Sequence, residues 1–213
     1  MKKFFNQDST YNFVMVRLFD LLLLNVLWYL TSIPLLTIGA STIALYDTTL
    51  KMIRNREGGI VRDFLKSFRS NFLLSIPATL ILAAVLGILV ADLHLLGGEE
   101  HAGAAILYGV CLVLLIALSA LAGYVFPLMA RFDNTVKNTF LNAGKIAAAH
   151  LPQTMFILVI NSTPFLWFLI SPKTFALIFW VWILIGISAT AFINSFLLER
   201  IFDELISKKE EDI

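Results

Sequence analysis

The sequence predicts an all-α protein: a polytopic membrane helix bundle with six transmembrane helices and two cytoplasmic amphipathic helices. Of its 213 residues, 59% are hydrophobic, and the mean hydropathy is +0.84. Charged residues make up 15% of the chain, well below the roughly 25% that is typical of soluble domains. The apolar residues fall into runs close to the ~20 residues that a helix needs to cross a bilayer. The length indicates a single membrane domain, residues 1–213.

The chain begins with a short polar segment, residues 1–11, that contains Lys2, Lys3, Phe4 and Phe5. Such residues are typical of an interfacial segment at the inner membrane surface. Polar residues interrupt the segment before any apolar run starts, so the pattern does not match a cleavable signal peptide. We therefore expect the first helix to be retained as an anchor.

The first two predicted spans, residues 13–33 and 35–52, should form a hairpin. Pro34 lies between them, and proline kinks or ends a helix because it has no backbone N–H to donate. We expect Gly39 to be a point where the chain can reverse or restart, because glycine tolerates unusual backbone angles. The small residues around Gly39 also favour close contact with another membrane helix. The hairpin would return Lys51 to the side on which the chain began.

Charged residues lie near both ends of this hairpin. Asp47 is in or near the predicted membrane region, where an acidic side chain is a functional candidate by default. The alternative is that Asp47 pairs with Lys51 four residues later, near the cytoplasmic edge. Arg17 and Asp20 share a helix face and can pair in the same way. That pair is either an interface anchor or a contact to a partner subunit.

The hairpin and the segment after it also carry an ordered set of residues that resembles the signature of the YesL family. The set comprises Asn25, Leu27-Trp28, Pro34, Thr37-Ile38-Gly39-Ala40, Ala44-Leu45-Tyr46, Asp63-Phe64, Phe68 and Asn71-Phe72. YesL proteins are small bacterial membrane proteins without an assigned biochemical function, and the resemblance weakens after about Leu95. The resemblance implies association with bacterial carbohydrate ABC importers.

A basic segment, residues 51–69, follows the hairpin and contains six Lys and Arg residues. Within it, apolar residues recur at helical spacing from Val61 to Phe72, which predicts an amphipathic helix. Such a helix would lie on anionic lipid or pack against a neighbouring protein. A second, less basic amphipathic segment extends from Phe140 to Pro152. Phe64 and Pro77 have approximate counterparts around this second segment, which suggests a parallel internal repeat.

Four further spans complete the predicted bundle. They cover residues 72–95, 104–129, 154–170 and 175–198. Six crossings place both termini and the two basic connections on one side, and the positive-inside bias makes that side the cytoplasm. The predicted location is therefore the bacterial plasma membrane, with both termini cytoplasmic.

Few residues in the sequence suggest catalysis or metal binding. His94, His101 and Asp92, with Glu99 and Glu100, form a cluster that either binds a divalent cation or is a solvated loop. The spacing matches no standard zinc site, and no glycine-rich phosphate loop or nucleophile elbow is present. The single cysteine, Cys111, excludes an intrachain disulfide. We expect no enzyme activity, no cofactor, no metal and no nucleic-acid partner.

A polar stretch, residues 161–164, interrupts the fifth predicted span. Asn161-Ser162-Thr163-Pro164 is expected to form a kink whose free backbone groups bond to the Ser and Thr hydroxyls. The alternative is a polar lining or a contact between Asn161 and Asn194 on the sixth span.

The first functional hypothesis is a non-catalytic accessory subunit of a carbohydrate ABC importer, in contact with its permease and with the lipid bilayer. Phe64, Phe68, Phe72 and Phe140 would contact the permease or stay in the lipid surface. The alternative is a small stand-alone transporter or channel, because discontinuous helices can frame a midplane site. A water-filled cavity that reaches Asp47 or Asn161 would favour the alternative, and a tightly packed bundle would oppose it. The sequence does not fix the oligomeric state.

Overall fold

The computed structural model describes residues 2–56, 58–98 and 101–211, and the side chains of residues 11–56, 58–98 and 101–207. Within these ranges the regular secondary structure is entirely helical. The α-helices are α1 Lys2–Ser32, α2 Ile38–Ile53, α3 Ile60–Leu96, α4 Ala102–Arg131, α5 Val136–Ala149, α6 Leu151–Ile170, α7 Pro172–Val181 and α8 Ile187–Glu211. The side chains of the predicted interfacial segment, including Lys2, Lys3, Phe4 and Phe5, lie outside the described residues.

Five helical segments are long and apolar enough to cross a membrane. They are Tyr11–Ser32, Ile60–Leu96, Ala102–Arg131, Leu151–Ile170 and Pro172–Ser207. The remaining predicted span, 35–52, corresponds to α2, which has 16 residues. A helix of that size is about 24 Å long at 1.5 Å per residue, shorter than the ~30 Å hydrocarbon core. Six complete crossings therefore stay a prediction.

Charged contacts join α1 and α8 to the end of α2, in a region that we call the charged end. Arg17 in α1 donates to the Met52 carbonyl at 3.5 Å and to Asn55 Oδ1 at 3.4 Å. Arg54, directly after α2, makes a two-pronged ion pair with Glu199 in α8. The middle of α1, the end of α2 and the middle of α8 therefore lie side by side. That both basic connections share one side of a membrane stays a prediction.

The predicted break at Pro34 is confirmed by the connection between α1 and α2. α1 ends at Ser32, a 3-10 turn covers Leu35–Thr37, and α2 begins at the next residue. Thr37 Oγ1 lies 2.5 Å from the Thr31 carbonyl and 2.6 Å from the Pro34 carbonyl. Its hydroxyl is therefore within hydrogen-bond distance of the Thr31 carbonyl, which the end of α1 leaves without a helical partner, and of the Pro34 carbonyl, which also accepts from the Thr37 backbone N–H. Thr37 thus stabilises the hairpin tip.

The structure separates the two expectations for Gly39. The residue lies in the first turn of α2, where the chain restarts as a helix, and Gly59 is the glycine with a positive φ among the described residues. Gly39 therefore does not reverse the chain. A Cβ atom at this position would lie 1.9 Å from Thr79 Oγ1 and 3.2 Å from the Phe126 ring. Its physical role is the close approach of α2 to α3 and α4, as small residues permit at membrane helix contacts.

α2 is the buried centre of the bundle and packs against α1, α3, α4 and α8. Its side chains are mostly small or polar, and Ala40, Ser41 and Thr48 are fully buried. The hydroxyls of Ser41 and Thr48 donate to carbonyls four residues earlier in the chain. The Thr49 and Ser195 hydroxyls lie 2.8 Å apart and join α2 to α8. The polar face of α2 is thus satisfied inside the protein.

The predicted amphipathic helix from Val61 to Phe72 is not a separate element, because α3 continues through it from Ile60 to Leu96. No glycine or proline lies between Ile60 and Ser75 to end the helix, and α3 accommodates Pro77 internally. Its 37 residues give a rod about 56 Å long, longer than one membrane crossing requires. The first turns of α3 therefore continue the spanning helix instead of turning onto a surface.

The second amphipathic segment is a separate helix, α5, which ends at Ala149 before α6 begins at Leu151. Pro152 lies in the first turn of α6, whereas Pro77 lies inside α3. The positions that suggested an internal repeat therefore differ in their structural setting.

The last predicted span is interrupted by an element that the sequence did not suggest. α7 and α8 are joined without a loop by a π-helix, Trp182–Gly186. A π-helical turn contains one more residue per hydrogen-bonded ring than an α-helical turn and is frequent at functional sites. It lies beside α1, where the first candidate site is found.

We expect Gly39→Ala to destabilise the bundle by about 1–3 kcal/mol, the usual cost of overpacking, because the new methyl group would overlap Thr79 Oγ1. Thr79→Ala in the same chain should restore most of the loss. Thermal unfolding in detergent, followed by the reactivity of the buried Cys111 thiol, measures both variants.

The matched control is Gly87→Ala in α3, where an added Cβ would meet nothing within 4 Å. This variant should unfold at or slightly above the wild-type temperature, because alanine is the better helix former. Equal melting temperatures for Gly39→Ala and Gly87→Ala would contradict the close contact.

Candidate functional site

The first candidate site is a buried amide that bridges α1 and the π-helix. Asn25 is fully buried, and its Nδ2 donates to the Ile183 carbonyl at 2.5 Å. The backbone N–H of Ser188 donates to Asn25 Oδ1 at 3.0 Å. Ile183 and Ser188 are five residues apart, the spacing of a π-helical hydrogen bond. The Asn25 amide therefore bonds to a donor and an acceptor that stand at π-helical spacing.

This insertion satisfies backbone groups that the widened turn exposes, which is essential where no water competes. A further bond, from Ser188 Oγ to the Leu21 carbonyl at 2.7 Å, joins the same two helices. The turn needs glycine at position 186, because a Cβ atom there would lie 2.5 Å from the Trp182 ring. Asn25 thus has a structural role at an irregular turn of the helix.

The second candidate site lies between α2, α6 and α8. Asn194 is fully buried, and its Nδ2 lies 2.8 Å from Asn161 Oδ1 and 3.5 Å from the Tyr46 hydroxyl. The contact between Asn161 and Asn194, which the sequence offered as an alternative to a kink, is therefore present, and α6 continues through Pro164. Asn194 Oδ1 is buried without a hydrogen-bond partner among the described residues. A buried acceptor without a donor costs free energy, so its presence needs an explanation.

Asn161 also lines a cleft of about 450 Å³, within the 300–1,000 Å³ range of ligand pockets. The cleft lies between α1, α2, α4, α6, the π-helix and α8, and its lining residues carry no charge. The aromatic and polar residues of its lining include Trp28, Tyr46, Ser119, Asn161, Trp182 and Thr190. The structure therefore places a mixed aromatic and polar cleft between these helices, open at the exposed Ser119 and Asn161.

Asp47 does not line this cleft. Its Oδ2 lies 2.6 Å from Lys51 Nζ, four residues later in α2. This is the pairing that the sequence offered as the alternative to a functional acid. Arg17 and Asp20 are also close, with 4.0 Å between Nη1 and Oδ2. These pairs lie near the charged end.

The charged end contains a further basic side chain, Arg131, at the end of α4. Its guanidinium lies 5.8 Å from the centre of the Phe132 ring and within electrostatic range of Arg54, Glu199 and Asp203. Arg131 Nε is buried without a hydrogen-bond partner among the described residues. The charged end therefore contains a compact group of opposite charges from the ends of α2 and α4 and from α8.

The four phenylalanines predicted to contact a partner have different environments. Phe64 is fully buried in the chain's own core, so its side chain is not available to a partner. Phe68 and Phe72 are partly buried and pack edge to face, with ring centres 5.8 Å apart. Phe140 is partly buried against the core. α3, which carries Phe64, packs against α1, α2, α4 and α5.

The described residues hold no group of three or more His, Cys, Asp or Glu side chains that could bind a metal ion. Glu99 and Glu100, which belonged to the predicted cation cluster, lie outside the described residues. Of that cluster, His94 and Asp92 lie near the end of α3, and His101 precedes α4.

Comparison with known proteins gives one similarity. A family model described as "Protein of unknown function, DUF624" matches residues 21–93. The matched segment covers the last third of α1, all of α2 and most of α3, and includes Asn25, Pro34, Thr37, Gly39 and Asp47. Searches of curated proteins and of solved structures found no match to the chain. The similarity therefore covers the hairpin and α3 but not the helices that contribute Asn161 and Asn194.

We expect Asn25→Leu to lower the stability of the bundle by about 2–5 kcal/mol, because two buried backbone groups at Ile183 and Ser188 would each lose a partner at about 1–3 kcal/mol. The melting temperature in detergent measures the loss. The control is Asn71→Leu, because the Asn71 amide bonds within its own helix to Ser67 and Ser70. A similar small effect of both substitutions would argue against the inserted amide.

Proposed function

We propose that this protein is a non-catalytic accessory membrane subunit of a bacterial carbohydrate ABC importer. The resemblance of the α1–α3 region to the YesL family supports the type of partner. In this proposal the protein lies in the plasma membrane and contacts the permease subunits through its helices.

The observation that carries the proposal is an apolar groove of about 640 Å³ between α3, α4, α5 and α6. Its walls include the exposed Val113 and Leu114 from α4 and the small residues Gly144 and Ala147 from α5. A Cβ at Gly144 would meet only Leu121, at 3.9 Å, so the groove floor is open. Small side chains let a second helix approach closely, which is how membrane helices associate. The proposed occupant is a transmembrane helix of the permease.

A basic face at the start of α3 offers a second contact. Arg62, Lys66 and Arg69 are exposed and recur at helical spacing, so they lie on one face of the rod. We place this face in the cytoplasm, together with the charged end and both termini, because Lys and Arg favour the cytoplasmic side. The length of α3 beyond one crossing supports a face that projects from the membrane. An acidic surface of the importer would complement it.

The groove is tested by a photo-crosslinking amino acid at Leu114, with purification from cells that express the importer in a mild detergent. We expect an adduct with a permease subunit, because Leu114 lines the groove. The control carries the same amino acid at Phe19, which is 64% exposed on α1, away from the groove. No adduct at Leu114, with the importer intact, would contradict the proposal.

The second candidate function is a stand-alone transporter or channel, and the cleft at Asn161 is the observation that favours it. An aqueous pathway would make a thiol at this position reactive, since thiols react as hydrated thiolates. In a Cys111→Ala chain, Asn161→Cys should resist a membrane-impermeant thiol reagent if the protein is an accessory subunit. Rapid labelling in intact cells would favour the transporter. Leu95→Cys, at an exposed position near the end of α3, is the positive control, because its thiol should react with the reagent.

A further inference from the structure

We infer that the cleft at Asn161 is a binding site for an uncharged amphipathic molecule that carries hydroxyl groups, such as a monoacylglycerol. This site is independent of the proposed contact with a permease, because the permease groove lies between α3, α4, α5 and α6. The cleft is formed instead by α1, α2, α4, α6, the π-helix and α8.

The first argument is the exposed amide of Asn161. Its Oδ1 accepts from Asn194, but its Nδ2 makes no hydrogen bond to another described residue. That Nδ2 would lie 3.8 Å from a Cβ at Gly123, which also lines the cleft. Asn161 lies near the middle of α6, one of the candidate membrane spans. A free amide donor at that depth is costly unless a polar group binds it.

The second argument is the set of acceptors around this donor. The Ser119 and Thr190 hydroxyls donate to carbonyls four residues earlier, at Leu115 and Gly186. Their donor capacity is therefore used, and their lone pairs are left for a ligand. A ligand with hydroxyl groups can accept from Asn161 and donate to these oxygens.

The third argument concerns charge and shape. The lining residues include no acidic or basic side chain, so an ion would lose its hydration without a counter-charge. Trp28, Tyr46, Phe126 and Trp182 supply aromatic surface for the apolar part of the ligand. Ligand sites commonly combine such apolar walls with a few convergent polar groups. These features favour a neutral molecule with one polar end.

The test uses the two tryptophans of the cleft as reporters. The chain contains four tryptophans, so Trp167→Phe and Trp180→Phe leave Trp28 and Trp182. The protein is placed in phosphatidylcholine nanodiscs, and a monoacylglycerol with a dibrominated chain is added at increasing mole fraction. We expect saturable quenching of fluorescence at a mole fraction where dibrominated phosphatidylcholine quenches weakly and without saturation.

Two substitutions address the site itself. Asn161→Leu should raise the half-saturating mole fraction roughly five- to tenfold, because one hydrogen bond to the ligand is lost. Ser119→Phe should abolish saturation by filling the cleft, and it leaves the Asn161–Asn194 pair intact if Asn161→Leu fails to fold. Asn71→Leu on α3 should leave the titration unchanged. Equal, non-saturating quenching by both brominated lipids, or no effect of Ser119→Phe, would overturn the inference.

Discussion

The burial of α2 among helices from both halves of the chain is the constraint on which the rest of the structure depends. α2 is too short for an ordinary crossing, yet it packs against α1, α3, α4 and α8. Its small side chains set the distance to its neighbours, most tightly where Gly39 meets Thr79. In a bilayer no hydrophobic force draws apolar helices together, so close packing and hydrogen bonds must do so. The composition of α2 supplies both.

Amides that connect separate helices follow from the same constraint. Polar groups inside a bundle of this kind need protein partners, because lipid offers none. Asn25 meets this need at the π-helix, where it bonds to backbone groups on both sides of the widened turn. Asn161 and Asn194 meet this need only in part. They bond to each other, but Asn161 Nδ2 and Asn194 Oδ1 have no hydrogen-bond partner among the described residues. That difference separates a structural amide from one that can bind a ligand.

The sequence predicted the features that depend on local chemistry. Apolar runs gave the approximate positions of the five long helices, and Pro34 gave the hairpin tip, because proline acts on its own helix. The sequence did not predict features that depend on tertiary contacts. The π-helix exists beside Asn25, which is more than 150 positions away in the chain, and Phe64 is buried in a core to which several helices contribute. The continuity of α3 does not follow from the sequence, because the polarity changes near Phe72 while the backbone stays helical. Gly39 lies where the chain restarts, and its close neighbours, Thr79 and Phe126, come from other helices.

The most direct test of the central position of α2 is a disulfide between α2 and α8. Thr49→Cys and Ser195→Cys, in a Cys111→Ala chain, replace two hydroxyls that lie 2.8 Å apart. The account predicts rapid disulfide formation with a mild oxidant, seen as a mobility shift that a reductant reverses. The control pair, Thr49→Cys with Leu95→Cys, should stay reduced. Absence of a disulfide between positions 49 and 195 in the folded protein would contradict the account.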